Sequence, residues 1–146
     1  MPCINLPVTP TGPLIEVWIG VSHPRQEALQ AAGQVVPQYV KGTFLIDTGA
    51  TSTCVDPGVV TPLGLSPSGV VNIQTPSTAG AQHQCNLFDV SLLIPKGTES
   101  PFFIGAIPIL ETSLASQGIS GLLGRDVLTR CTLVYHGEIG HFVLAY

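Results

Sequence analysis

An apolar run that ends in an acid is the first place to look for chemistry, and this chain has one at Phe44-Leu45-Ile46-Asp47-Thr48-Gly49-Ala50-Thr51. The residue types describe a buried strand that delivers a carboxylate into a tight turn. A carboxylate behind Phe-Leu-Ile is costly to bury as an ion unless it is hydrogen-bonded or paired, and a perturbed pKa is expected at such a site. Thr48 can hold the turn through its hydroxyl, while Gly49 lets backbone or ligand approach without a Cβ in the way. An Asp before Thr-Gly also fits an ordinary Asx-turn, so a second signal is needed.

Other candidate chemistry is poor. Cys3, Cys54, Cys85 and Cys131 are widely separated, with no C-x-x-C pair and no nearby His at zinc-ligand spacing. Buried reduced thiols are the expected reading. His136 and His141 flank a polar turn, and His83 stands alone, so no metal site and no cofactor are expected. No G-x-S-x-G elbow, Walker loop or H-E-x-x-H is present.

The second signal is Ile119-Ser120-Gly121-Leu122-Leu123-Gly124-Arg125-Asp126-Val127-Leu128. Together with apolar-apolar-Asp-Thr-Gly-Ala, it resembles the retropepsin-like aspartic proteases, of the single-domain, non-viral type. In that family an apolar-apolar-Gly strand runs behind the catalytic loop and leads through Arg-Asp or Arg-Asn into a short helix. The resemblance covers the chain from about Leu14 onward and implies a closed, barrel-like all-β fold with a flap hairpin and one or two short helices.

What the resemblance implies for function follows from the chemistry. Aspartic peptidases need two carboxylates at hydrogen-bonding distance sharing one proton, one acting as base on a water and the other as acid toward the substrate carbonyl. This chain has one Asp-Thr-Gly. Asp47 must therefore be completed by Asp47 of a second subunit across a two-fold axis, which implies a homodimeric aspartic endopeptidase acting on a peptide or protein substrate. By motif position Asp47 carries the water, Thr48 bonds across the dimer, and Gly49 exposes its carbonyl to substrate. Ala50 extends the substrate-binding loop, and Thr78, Ala79 and Gly80 at the flap tip are backbone clamps. In retroviral members the arginine of the second motif pairs with an acid four residues beyond the catalytic Asp. That position is Thr51 here, so Arg125 needs another partner, with Asp56 and Asp126 the two possibilities. The missing acid and a flap with little aromatic character leave an alternative: a non-catalytic dimerisation or peptide-binding module with the same fold.

Composition bounds these readings. At 146 residues the chain is one domain's worth, too short for two lobes. Hydrophobic residues make up 45%, charged residues 10%, and mean hydropathy is +0.43, so part of the surface is expected to be covered by a partner. A net charge of −4 with five Lys and Arg argues against nucleic acid. No apolar run approaches the roughly 18 residues of a bilayer span, and the start lacks a signal-peptide pattern. With unpaired cysteines, this predicts a cytoplasmic protein.

The elements that must position Asp47 are legible in outline. Pro7, Pro10 and Pro13 predict an extended N-terminal arm over residues 1–13, outside the core. Leu14 to Val21 reads as a strand, Pro24 to Gly33 as a short helix, and Gln38 to Ile46 as the strand that ends at Asp47, paired with the first. Asp56 to Leu65 predicts an irregular helical turn. Val70 to Gln74 and Gln84 to Leu92 form a hairpin, Pro101 to Leu110 an interrupted strand, and the chain closes in a hairpin around His136 to Gly140. In retroviral relatives the terminal segments of both chains interleave. Phe142 to Tyr146 is expected to do so here, and to contribute more than the proline-broken start.

Overall fold

The computed structural model describes residues 1–74 and 79–146. Among these, ten strands and three short α-helices follow in order: β1 Cys3–Pro7, β2 Leu14–Val21, α1 His23–Ala31, β3 Val40–Ile46, β4 Cys54–Val55, α2 Pro57–Val60, β5 Gly69–Ile73, β6 His83–Ile94, β7 Phe102–Glu111, β8 Gly121–Leu123, α3 Arg125–Leu128, β9 Thr132–His136 and β10 His141–Ala145. Strand pairing runs β2-β3-β8-β4-β7-β6, and β6 pairs back to β2, which closes a ring of six strands. The long strand β6 allows this closure, since one of its edges is shared between β5 (at His83 to Leu87) and β2 (at Val90 to Leu93). The fold is all-β and barrel-like.

Alternation builds the core inside that ring. Ile15, Val17 and Ile19 of β2 point inward, as do Phe44 and Ile46 of β3 and Phe88, Val90, Leu92 and Ile94 of β6. In β7 the inward residues are Phe102, Ile104, Ile107 and Ile109, so the period breaks between Ile104 and Ile107. The register slips there: Val90 faces Ile107, but Leu92 faces Ile104. One extra residue on β7 forms a β-bulge and turns both isoleucines into the core. The interrupted strand expected over Pro101 to Leu110 is thus one continuous strand with a bulge.

Helix α1 starts with Pro24 in its first turn and closes at Gly33, whose φ of +66° suits a residue without a Cβ. Helix α2 is capped by Asp56, whose Oδ1 accepts from Gly58 N at 2.9 Å while Oδ2 accepts from Leu114 N and Ala115 N, each at 2.8 Å. The backbone N–H groups of Leu114, Gly58 and Ala115 hold the Asp56 carboxyl below its ordinary pKa. A depressed folded pKa gives stability that is complete above the unfolded carboxylate value of about 3.9 and is lost as pH falls through the lower folded value. Asp56→Ala is therefore expected to lower the melting temperature at neutral pH, by about 1 kcal/mol of cap stabilisation. Thermal melts at stepwise lower pH should show the gap to wild type closing below about pH 4, and a gap independent of pH would contradict this role.

A second sheet, in the order β1-β10-β9, is formed by the two ends of the chain. Two expectations change here. Residues 1–13 are extended, but they are not a free arm: Cys3 to Pro7 pair antiparallel with β10, and Ile4, Leu6 and Val8 pack against the core. Proline punctuation hid a five-residue strand whose alternate positions are apolar. Strand β10 lies between β1 and β9, so both its edges are occupied within its own chain, and Phe142 and Leu144 are fully buried. The expected interleaving of Phe142 to Tyr146 with a partner does not match this sheet, and deleting that segment would remove core side chains.

Candidate active site

Strand β3 runs beside β8, parallel, with Phe44, Leu45 and Ile46 opposite Gly121, Leu122 and Leu123. The two sequence signals are thus adjacent strands. The last rung of the ladder fixes the acid: Asp47 N donates to Leu123 O at 3.0 Å. The turn then folds back on its own carboxylate. Asp47 Oδ1 accepts from Gly49 N at 2.8 Å, and Asp47 O accepts from Ala50 N at 3.2 Å. A Cβ at position 49 would stand 3.1 Å from Asp47 Oδ1, a close approach to the carboxylate that the glycine avoids. The second oxygen, Oδ2, has no partner among the described residues.

Beyond the turn, the chain is fastened to the start of α3. Arg125 N donates to Ala50 O at 2.9 Å. Its guanidinium donates to Thr48 O and Thr51 Oγ1, both at 3.1 Å. Neither Asp56 nor Asp126 is its partner, so both sequence candidates for that ion pair are corrected. Thr51 stands where an acid was missed and supplies a neutral acceptor instead. Asp126 has a different task. Its Oδ2 accepts from Thr53 N at 2.9 Å, and its Oδ1 accepts from Thr53 Oγ1 at 2.7 Å and from Val127 N at 2.9 Å. Thr53 is fully buried and its Oγ1 also accepts from Gly124 N at 3.1 Å. The side chains of Thr53 and Asp126 thereby cross-link β4 to α3 behind the turn.

Asp47, Gly49 and Ala50 line a cleft of about 590 Å³ together with Thr51 and Ser52. Its far walls are largely apolar: Cys54, Ile73, Leu110 and Leu122. That volume is ample for several side chains of a ligand. A second, polar hollow of about 300 Å³ lies near His83, Asn86 and Glu111, away from the turn. Among the described residues lining the larger cleft, Asp47 is the one carboxylate.

The remaining sequence candidates divide. Thr48 is exposed and its hydroxyl has no partner among the described residues. Ala79 and Gly80 are exposed and take left-handed backbone angles, φ +47° and +83°, without lining the cleft of this chain. Thr78 lies outside the described residues. Sequence reading missed the cleft walls. Leu122 was inside the second motif, but Ile73, Leu110 and Cys54 carry no local signal of facing a cleft.

The cysteines also differ from expectation. All four are free, but Cys85 alone is fully buried; Cys54 and Cys131 are partly buried and Cys3 is exposed. Burial pushes the Cys54 thiol up to about 11, with added effect from nearby Cys85, Asp126 and Asp47. Cys54 therefore stays a neutral thiol near pH 7 and acts as an apolar wall beside Asp47, not as a nucleophile.

The sequence matches no protein-family model and no curated protein. Among solved structures it is similar to a retropepsin-like aspartic protease from Rickettsia conorii. The identity is 18%, the TM-score 0.61, and the match covers 99% of this chain and 91% of that one. The closed six-strand ring agrees with that likeness, and the chain has the fold of the retropepsin-like aspartic proteases.

Proposed function

We propose that the protein is an aspartic endopeptidase that works as a homodimer, with one Asp47 from each subunit forming the catalytic pair. One observation carries this reading: Asp47 stands alone in its cleft, with one carboxylate oxygen tied to Gly49 N and the other free of partners among the described residues. A lone carboxylate cannot supply both the base and the acid that peptide hydrolysis needs. Two Asp47 groups across a two-fold axis share one proton, because adjacent like charges do not both ionise. The ionised member takes a proton from water as the water oxygen attacks the peptide carbonyl carbon. The protonated member donates to the carbonyl oxygen; in the collapse that breaks the C–N bond, the first carboxyl passes the proton it took from water to the departing nitrogen and the second takes one back from a hydroxyl of the intermediate, which restores the pair.

Other parts follow from the same arrangement. The exposed Thr48 hydroxyl is free to bond to the partner's turn, and Arg125 holds the Thr48 carbonyl in place behind it. Substrate lies in extended form over Gly49 and Ala50, with apolar side chains against Cys54, Ile73, Leu110 and Leu122. The β5–β6 hairpin, with Ala79 and Gly80 between its strands, closes as a lid. No helix among the described residues is long and apolar enough to cross a membrane. Four free thiols support a reducing compartment, the cytoplasm. The net charge of −4 supports a peptide rather than a nucleic-acid partner.

The neutral Arg125–Thr51 contact favours a second reading, a peptide-binding module that does not hydrolyse. A peptide library incubated with the protein from strongly acidic to mildly alkaline pH separates the two. The peptidase is expected to cleave at acidic to near-neutral pH, where the pair retains its proton. Binding without turnover at every pH would favour the module instead.

A further inference from the structure

We infer that a hollow between α1 and the loop before β5 is a second ligand site, built for a small zwitterion: an α-amino acid, with a carboxylate and an ammonium group side by side. The hollow measures about 240 Å³ and is lined by Ser22, Arg25, Leu65, Ser66, Ser68 and Asp89. None of these residues lines the cleft that holds Asp47, and the inference does not rest on the peptidase reading. The volume falls below the roughly 300 Å³ at which drug-sized ligands are held, so the occupant is small.

One wall of the hollow carries polar groups that the fold does not use. Ser22 stands at the N-cap of α1, where a serine hydroxyl ordinarily accepts from the N–H of the second or third helical residue. It makes no such bond, and it has no partner among the described residues although Ser22 is only 6% exposed. Among the described residues, no fully buried side-chain nitrogen or oxygen lacks a partner. The Ser22 oxygen is therefore the part of this side chain that reaches solvent, and it does so in the hollow. The second helical residue is Pro24, which has no N–H. The N–H of Arg25, the third, has no partner among the described residues. No acid in the first turn offsets the positive end of this nine-residue helix. With the Arg25 guanidinium on the same wall, these donors suit a carboxylate.

A second charge narrows the choice of ligand. Asp89 of β6 lines the same hollow. Arg25 and Asp89 are both exposed, and neither is in an ion pair with the other or with any other described residue. Opposite charges that share a hollow without meeting each stay free for a ligand group. Asp89 disfavours a phosphate-like anion and Arg25 disfavours a simple cation, whereas a molecule with both an ammonium and a carboxylate satisfies the two. Half-buried Leu65 offers an apolar surface to a short side chain. Ser68 donates through its N–H and its hydroxyl to Leu87 O, at 2.7 and 3.1 Å, so this wall is continuous with the base of the β5–β6 hairpin.

Calorimetric titration of the full chain with L-alanine tests the inference. Beside it run propionate, which lacks the ammonium, L-alaninamide, which lacks the carboxylate, and inorganic phosphate. L-Alanine should bind once per chain and at least about tenfold tighter than the other three, each of which loses a charge-assisted hydrogen bond. Arg25→Gln should erase the preference for L-alanine over L-alaninamide, and Asp89→Asn the preference for L-alanine over propionate. Both side chains are exposed, so the melting temperature without ligand should stay within about 2 °C of wild type. Ser22→Ala should weaken L-alanine about tenfold. Absence of L-alanine binding up to about 10 mM, propionate or phosphate binding as tightly as L-alanine, or preferences that survive both charge substitutions would overturn the proposal.

Discussion

An Asp47→Asn variant is expected to lose at least about 10⁴-fold in kcat/KM while keeping its fold, because the change removes a reacting group and not a structural one. The structural side of the argument is specific. Asp47 Oδ1 accepts one hydrogen bond, from Gly49 N, and an asparagine carbonyl oxygen can take its place. The cost to stability is then within about 1 kcal/mol. The chemical side is just as specific. An amide neither takes a proton from water nor returns one to a carbonyl, and a pair of asparagine side chains has no proton to share. Steady-state kinetics beside a near-UV spectrum check both sides. Activity within tenfold of wild type would mean that some other group carries the reaction.

The second large effect is expected at Gly124, and it runs through stability. This residue joins β8 to α3, and a Cβ there would lie 2.6 Å from Ser52 C, 2.7 Å from Ser52 O and 2.8 Å from Thr53 N. Those are backbone atoms that have no rotamer to change. Relief requires β4 and its approach to move away from α3, which stretches the bonds from Gly124 N to Thr53 Oγ1 and from Thr53 to Asp126. Gly124→Ala is therefore expected to cost about 3 kcal/mol, the upper range for forced overpacking. Activity should fall as well, since the strand that leads into Gly124 also holds Asp47 N through Leu123 O. Denaturant unfolding at neutral pH measures the first effect. A loss below about 0.5 kcal/mol, within the range of a surface substitution, would show that the close approach of Gly124 to Ser52 and Thr53 is not rigid.

The difference in legibility between these sites has a physical cause. Asp47 and Gly124 were readable because an apolar strand ending in acid-hydroxyl-glycine, or in glycine before a charged pair, is a local pattern. β2 and the β3 strand that ends at Asp47 were readable for the same reason, through apolar content and neighbouring glycine and proline. The partner of Arg125 was not readable. It depends on where a turn carries Thr48 and Thr51 in space, and a carboxylate was the natural guess for a guanidinium. The cleft walls fall in the same class, since Ile73 and Leu110 come from strands far apart in sequence. Strand β1 was obscured by proline at its end, although Ile4 and Leu6 have the alternation of a strand. The closing strand was read as available to a partner because its apolar character is local, whereas its place between β1 and β9 is set by register.

Pairing of Asp47 across two chains is tested most directly by mixing. Wild-type and Asp47→Asn chains, combined in equal amounts and allowed to exchange, form dimers in a statistical ratio if the substitution leaves association unchanged. If each active site needs an Asp47 from both chains, only the pure wild-type dimers cleave, and activity per total chain falls to about a quarter of that of wild type alone. A site complete within one chain would instead leave about half. Peptide turnover measured as the Asp47→Asn fraction is raised should follow the square of the wild-type fraction; a straight line would contradict the paired carboxylates.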